Sequence, residues 1–226
     1  MKLQFFTIIC SLIVCSVSYA QSSKTGNWFM YFGNNAISKK LNWWNEVQYR
    51  NYNFDGDLEQ LMLRTGIGWN LTENNNNLLL GYGYILGKKY INETDKQTTN
   101  EHRIFQQFIT RQKFNRINLQ HRYRVEERFL QNDFRVRFRY FLSMNIPINT
   151  KEMTDKTVYA SAYNEIFLHA NSPVFDRDRI YAALGYAFQK NLRLELGFMT
   201  QVQEKTSRGQ FQIALFNNIP YYKKRN

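Results

Sequence analysis

The sequence predicts an all-β fold, an antiparallel transmembrane β-barrel of ten or twelve strands behind a cleaved signal peptide, and three observations carry that prediction. Apolar and polar residues alternate at period two over almost the whole chain past residue 20, as strands with one apolar and one polar face require. Several of these runs reach ten residues or more; strands of soluble sheets typically have about 5–6, and a tilted strand needs about 9–11 to cross a bilayer. Aromatic residues make up 16% of the chain while the mean hydropathy is -0.55, so apolar side chains are interleaved with polar ones instead of gathered into a spanning helix.

The first residues are set apart from this pattern. Met1 and Lys2 give a short positive start, an apolar run follows from Leu3 to about Val17, and Ser18-Tyr19-Ala20 is a small-residue exit, which predicts a signal peptide over residues 1–20. The apolar run falls short of the roughly 20 residues a spanning helix needs. Cys10 and Cys15 are the only cysteines, and both lie in this segment. Once it is removed, a disulfide scaffold, a thiolate metal site and a cysteine nucleophile are all excluded. Val14, standing where a small residue is wanted, argues against lipidation of Cys15. Residues 21–226 are then expected to form one barrel domain. The formal charge of +12 would fit nucleic acid, but export makes that partner a poor one, and a basic lumen or a basic rim against anionic lipid fits better.

The runs follow in order. Residues 27–33, NWFMYFG, make a first short strand. From residue 41, Leu41, Trp43, Val47 and Tyr49 share one face, with Trp44, Glu46, Gln48 and Arg50 on the other. Leu61, Leu63, Ile67, Trp69 and Leu71 then oppose Gln60, Arg64, Gly66, Gly68 and Asn70; Leu78, Leu80, Tyr82, Tyr84 and Leu86 oppose Gly81, Gly83 and Gly87. Residues 101–112 and 157–169 read as strands whose two faces are less clearly separated. Between them, Ile117, Leu119, Tyr123, Val125 and Phe129 stand against Arg122, Arg124, Glu126 and Arg128. In FRVRFRYFLSMNIPI, residues 134–148, Arg135, Arg137 and Arg139 alternate with Phe134, Val136, Phe138 and Tyr140. Ile180, Leu184, Tyr186 and Phe188 oppose Ala183, Gly185 and Ala187; Leu192, Leu194, Leu196 and Phe198 oppose Arg193, Glu195, Gly197 and Gln201; and Phe211, Ile213 and Leu215 close the series. That is eleven runs, where an even number is expected if both chain ends share one side, so either the first run lies outside the wall or one more remains unseen. Short turns at 72–77, 113–116 and 189–191 alternate with longer links at 87–100 and 169–179, the asymmetry of outer-membrane barrels.

Alternation alone is the same in a soluble sandwich and in a membrane barrel; length and aromatic load favour the barrel, with lipid outside and the polar face within. Its candidate lumen network, or pore lining, comprises Glu46, Arg50, Arg64, Arg122, Arg124, Glu126, Arg128, Arg135, Arg137, Arg139, Glu165, Arg193 and Glu195. Such residues can form a packed plug in which carboxylates hydrogen-bond the guanidinium forks, or a basic eyelet that draws anions. The inner glycines at 66, 68, 81, 83, 185 and 197 let strands bend or leave room for the arginines opposite. Trp43, Tyr49, Trp69, Tyr82 and Tyr84, with Trp44, read as membrane-interface aromatics. His102, His121 and His169 are the only histidines; a hydrolase would use His121 or His169 as general base, but no serine lies within two residues of His121. No residue is assigned a catalytic role, and no metal or organic cofactor is expected. The alternatives are a lipid-facing outer-membrane hydrolase and a soluble periplasmic β protein.

The order of GNWFMYFGNNAISKKLNWWNEVQYRNY, LEQLMLRTGIGWNLT, LLLGYGYI, QHRYRVEERF, FRVRFRYFLSMNIPI, YNEIFLH, DRIYAALGYAF and LRLELGFMTQ resembles the uncharacterised outer-membrane-barrel family labelled Domain of Unknown Function 2490. The resemblance spans nearly the whole chain past the signal peptide, and HRYRVEERF with RVRFRY is its most specific part. It implies the outer membrane of a Gram-negative bacterium, with lipid and the barrel-insertion machinery as partners, and brings no catalytic residues. One departure concerns assembly: barrel chains commonly end on an aromatic residue, whereas IPYYKKRN continues four residues past Tyr222.

Overall fold

The computed structural model describes residues 25–72 and 75–222; the predicted signal peptide lies outside them. Eleven strands are present among the described residues: β1 (Gly26–Ala36), β2 (Leu41–Asn51), β3 (Leu58–Asn70), β4 (Asn76–Tyr90), β5 (Lys96–Phe114), β6 (Ile117–Leu130), β7 (Asp133–Pro147), β8 (Thr157–His169), β9 (Phe175–Gln189), β10 (Leu192–Val202) and β11 (Ser207–Asn217). Each pairs with its chain neighbours, and β1 pairs with β11, so the sheet closes on itself and leaves no edge strand. Closure satisfies the backbone hydrogen bonds that an open edge would present to solvent or lipid.

The count corrects the expectation of ten or twelve. The run at 27–33 is neither outside the wall nor matched by a missing partner; it extends to β1 and joins β11 from Gly26 opposite Gln210 to Gly33 opposite Asn217. With an odd number of up-and-down strands, the first and last must run the same way, and this closing pair is parallel while the other neighbours are antiparallel. The start of β1 and the finish of β11 therefore lie at opposite ends, called here the N-terminal and C-terminal ends.

The expected contrast between short turns and long links is also absent. β4 runs on to Tyr90 and β5 begins at Lys96, which shortens the link to 91–95, and β9 begins at Phe175. Residues 148–156 form the longest link, at the C-terminal end beside the short turns 115–116 and 190–191.

Burial is inverted relative to a soluble domain. Among the described residues, buried polar and charged ones number 23 against 13 buried hydrophobic ones, while 35 large hydrophobic residues are exposed. Ile67, Leu80, Ile180, Leu184 and Leu196 each exceed half exposure, and every strand except β8 carries at least one exposed large hydrophobic residue. The outward polar groups tend to pair with one another: Tyr82 Oη lies 2.6 Å from His102 Nδ1, and Gln106 donates to Glu127 at 3.4 Å.

Two apolar clusters sit inside the wall. Trp44, Leu79 and Phe105 form one, with the Trp44 and Phe105 rings edge to face at 5.7 Å; Trp28, Tyr181 and Met199 form the other. Glycine gives two of the inward aromatics their place. A Cβ at Gly81 would clash with the Phe105 ring, and one at Gly185 with the Tyr159 ring, so these aromatics lie against cross-strand backbone.

Candidate functional site

Inward parity on β2, β3 and β5–β9 brings the charged residues together across the lumen. Glu126, with no exposed surface, is the hub. Its Oε2 accepts from Arg137 Nε at 3.1 Å and Nη2 at 2.5 Å, and its Oε1 accepts from Arg139 Nη1 and from Arg124 Nη1 at 3.5 Å. Arg103 and Arg64 approach it at 3.8 and 3.9 Å from other walls. Glu165 gathers Arg139 at 2.5 Å, Arg122 at 2.7 Å and Arg179 at 3.8 Å. Glu101 takes two-pronged contacts from both Arg103 and Arg128. Asp176 bridges Arg137 and Arg177, both at 2.9 Å, and Glu46 pairs with Arg64.

Arg50 has no carboxylate within ion-pair distance among the described residues: it donates to Gln48 and Gln60 and stacks with its Cζ 3.8 Å from the Trp28 centroid. Counting Arg50, Arg64, Arg103, Arg122, Arg124, Arg128, Arg137, Arg139, Arg177 and Arg179 gives ten arginines against the five carboxylates just named, a surplus of five positive charges. Aromatic faces hold part of that surplus. Phe167, 1% exposed, lies within reach of four guanidiniums, from Arg139 at 4.4 Å and Arg179 at 4.7 Å to Arg137 at 5.1 Å and Arg177 at 6.0 Å. Uncompensated charge in so dry a place costs on the order of several kcal/mol per ion, which disposes the network toward an anion.

On the side of this network toward the ends of β2, β4, β6 and β8 lies a cavity of about 80 Å³, lined by eight arginines with Gln60, Met62 and Phe167. Toward the C-terminal end, Tyr163 and Tyr181 stack at 4.5 Å, and Glu195 accepts from Tyr159 at 3.0 Å and from Tyr181 at 3.4 Å. Glu195 is thus held by tyrosines and not, as expected, by a guanidinium; Arg193 packs its Cζ 5.7 Å from the Tyr159 centroid and 5.3 Å from that of Phe216.

Of the residues singled out from the sequence, Glu46, Arg50, Arg64, Arg122, Arg124, Glu126, Arg128, Arg137, Arg139 and Glu165 meet in this network. Arg135 does not: it stands near the start of β7, half exposed, and pairs with Asp133 at 2.5 Å. Trp43, Tyr49, Trp69 and Tyr82 are exposed on the outer face, and Tyr84 also faces outward, donating to Asn100. Trp44 turns inward and is 8% exposed. His121 faces outward against Tyr140 at 2.8 Å, whereas His169 faces inward 3.8 Å from Asp176, so the two lie on opposite sides of the wall. No serine or threonine hydroxyl bonds to either among the described residues.

Sequence reading missed Glu101, Arg103, Asp176, Arg177 and Arg179. On β5 the signal was masked because both faces mix polar and apolar residues, Arg103 and Phe105 inside, His102 and Ile104 outside. Asp176 sits where the β8–β9 register slips between Phe167 and Leu168, which carries its carboxylate inward against strict alternation.

No curated protein and no solved structure matches the chain. The model of the family described as Protein of unknown function (DUF2490) matches residues 25–212, from the approach to β1 into β11, with the whole arginine network inside the match. The chain belongs to that family, an uncharacterised family of β-barrels.

Proposed function

We propose that the protein is an outer-membrane barrel whose lumen is closed by its own side chains, so that it spans the membrane without conducting at rest. The observation that carries this reading is the layer of inward side chains with no accessible surface: Phe105, Glu126, Tyr159 and Met199 are each 0% exposed. A water-filled channel would leave its lining accessible, as porins do.

The membrane half of the reading rests on the outer face. Thirty-five large hydrophobics are exposed among the described residues, on every strand but β8, whereas the largest apolar patch of a water-soluble monomer is about 300–600 Å². Facing lipid, the same side chains need no cover. This weighs against the soluble periplasmic alternative, and the absence of a serine or threonine hydroxyl bonded to His121 or His169 among the described residues weighs against the hydrolase, since the one hydroxyl on His121 is that of Tyr140.

Planar-bilayer recording on refolded protein tests the closed lumen, with folding checked by faster gel migration before boiling. The expected result is silence from folded protein. Reproducible conductance steps would reopen the pore reading, and a reversal potential in a salt gradient would then report the anion preference of the arginines.

A further inference from the structure

We propose that the arginine-lined cavity is a binding site for a compact, multiply charged oxyanion, a phosphate group being the best match. The inference rests on the cavity and not on the membrane or the closed lumen, so its failure would leave the conductance result untouched.

The lining supplies eight guanidiniums and no carboxylate, from β2, β3, β5, β6, β7 and β9, so donors converge from around the barrel. The carboxylates behind them are already shared: Glu126 and Glu165 serve Arg124 and Arg122 as well. Among the lining arginines one buried guanidinium has donors left over. Arg64, its side chain 4% exposed, has Nε and Nη1 without an acceptor, Nη1 standing 3.9 Å from Glu126 Oε1. Arg50 leans on neutral amides alone for its hydrogen bonds.

Size and shape select the ligand. A volume of about 80 Å³ holds a tetrahedral oxyanion with little to spare. A carboxylate presents two oxygens on one side and brings an organic tail, for which only Met62 and Phe167 offer apolar wall. A phosphate dianion presents oxygens in all directions and accepts the paired N–H groups of guanidinium forks. Chloride would satisfy charge but use few of the donors. Arg177, a quarter exposed, stands at the outer rim of the chamber toward the N-terminal end. Both the free ion and the terminal phosphate of a larger solute carry this chemistry.

The test is calorimetric titration of the refolded full-length chain in detergent with inorganic phosphate, sulfate and chloride. The expected result is saturable phosphate binding at least about tenfold tighter than chloride, a difference of about 1.4 kcal/mol. Arg50→Gln, which strands no carboxylate, should weaken phosphate binding about tenfold or more while heat-modifiable migration is kept. Should that variant not fold, Arg177→Gln at the rim, whose partner Asp176 retains Arg137, serves in its place with a smaller loss of the same sign. Competition with glycerol phosphate identifies the source: displacement means that an esterified phosphate reaches the chamber, and none means that the free ion is its ligand. Folded wild-type protein without phosphate binding, or folded variants that bind as wild type does, would overturn the proposal.

Discussion

Glu126→Gln is the most informative single change in the network. It keeps shape and size, removes one buried negative charge, and puts an NH₂ donor where Arg137 or Arg139 now finds an acceptor. On the Oε2 side two charge-assisted bonds are at stake, from Arg137 Nε at 3.1 Å and Nη2 at 2.5 Å. At roughly 1.5–3 kcal/mol each, their loss spans about 3–6 kcal/mol, and breaking a buried ion pair from one side costs about 3–5 kcal/mol. The surplus of positive charge also rises from five to six. A destabilisation of about 3–5 kcal/mol is therefore expected, read as a drop in the urea midpoint of the folded fraction in lipid vesicles at unchanged slope. Arg135→Gln is the control, since its partner Asp133 is 46% exposed and such surface pairs contribute about 0–1 kcal/mol. A Glu126→Gln effect under about 1 kcal/mol, or one equal to that of Arg135→Gln, would refute the hub.

Three further changes probe the wall. Gly81→Ala drives a methyl group against the Phe105 ring and should destabilise by about 1–3 kcal/mol; Phe105→Leu in the same chain should recover part of that loss, and simple additivity of the two effects would contradict the contact. Leu184→Arg, at an outward position 63% exposed and central on β9, should cost about 2–4 kcal/mol if lipid covers it; in a soluble protein the same change stays within about 0.5 kcal/mol, and vesicle unfolding distinguishes the two. Tyr159→Phe removes the 3.0 Å donor to buried Glu195 and should lower stability by about 1–3 kcal/mol, with wild-type stability ruling out a role for that bond.

Much of this arrangement was legible in the sequence because parity survives folding. The faces read for Trp44, Glu46, Gln48 and Arg50, and for Arg122, Arg124, Glu126 and Arg128, point inward in the barrel. The two arginine runs do pair antiparallel, with Arg124 opposite Arg139 and Glu126 opposite Arg137, so like charges that would repel across the ladder are offset by the carboxylate beside them. Strand β8 occupies the same residues, 157–169, that read as a strand with less clearly separated faces.

What was not legible depends on contacts between distant strands. Nothing local says that Arg64 on β3 reaches Glu126 on β6, or that Arg208 on β11 reaches Glu59 on β3. Asp176 escaped because a bulge breaks the alternation on which the reading depends. Strand number was misjudged because the even-count rule assumes both chain ends on one side, and the parallel β1–β11 pair removes that constraint. The inner glycines were matched with arginines in general, whereas Gly81 and Gly185 accommodate Phe105 and Tyr159, and Gly83 accommodates the stem of Arg64.

The four tryptophans allow the central claim to be tested in one measurement. Trp28 and Trp44 face the lumen at 3% and 8% exposure, while Trp43 and Trp69 face outward at 38% and 56%. Single-tryptophan variants reconstituted in vesicles can be titrated with brominated lipid and with aqueous acrylamide. A closed barrel surrounded by lipid predicts strong quenching of Trp69 by brominated lipid and protection of Trp44 from both quenchers. Acrylamide quenching of Trp44 would mean a wet lumen, and a Trp69 indifferent to brominated lipid would place the outer face in water.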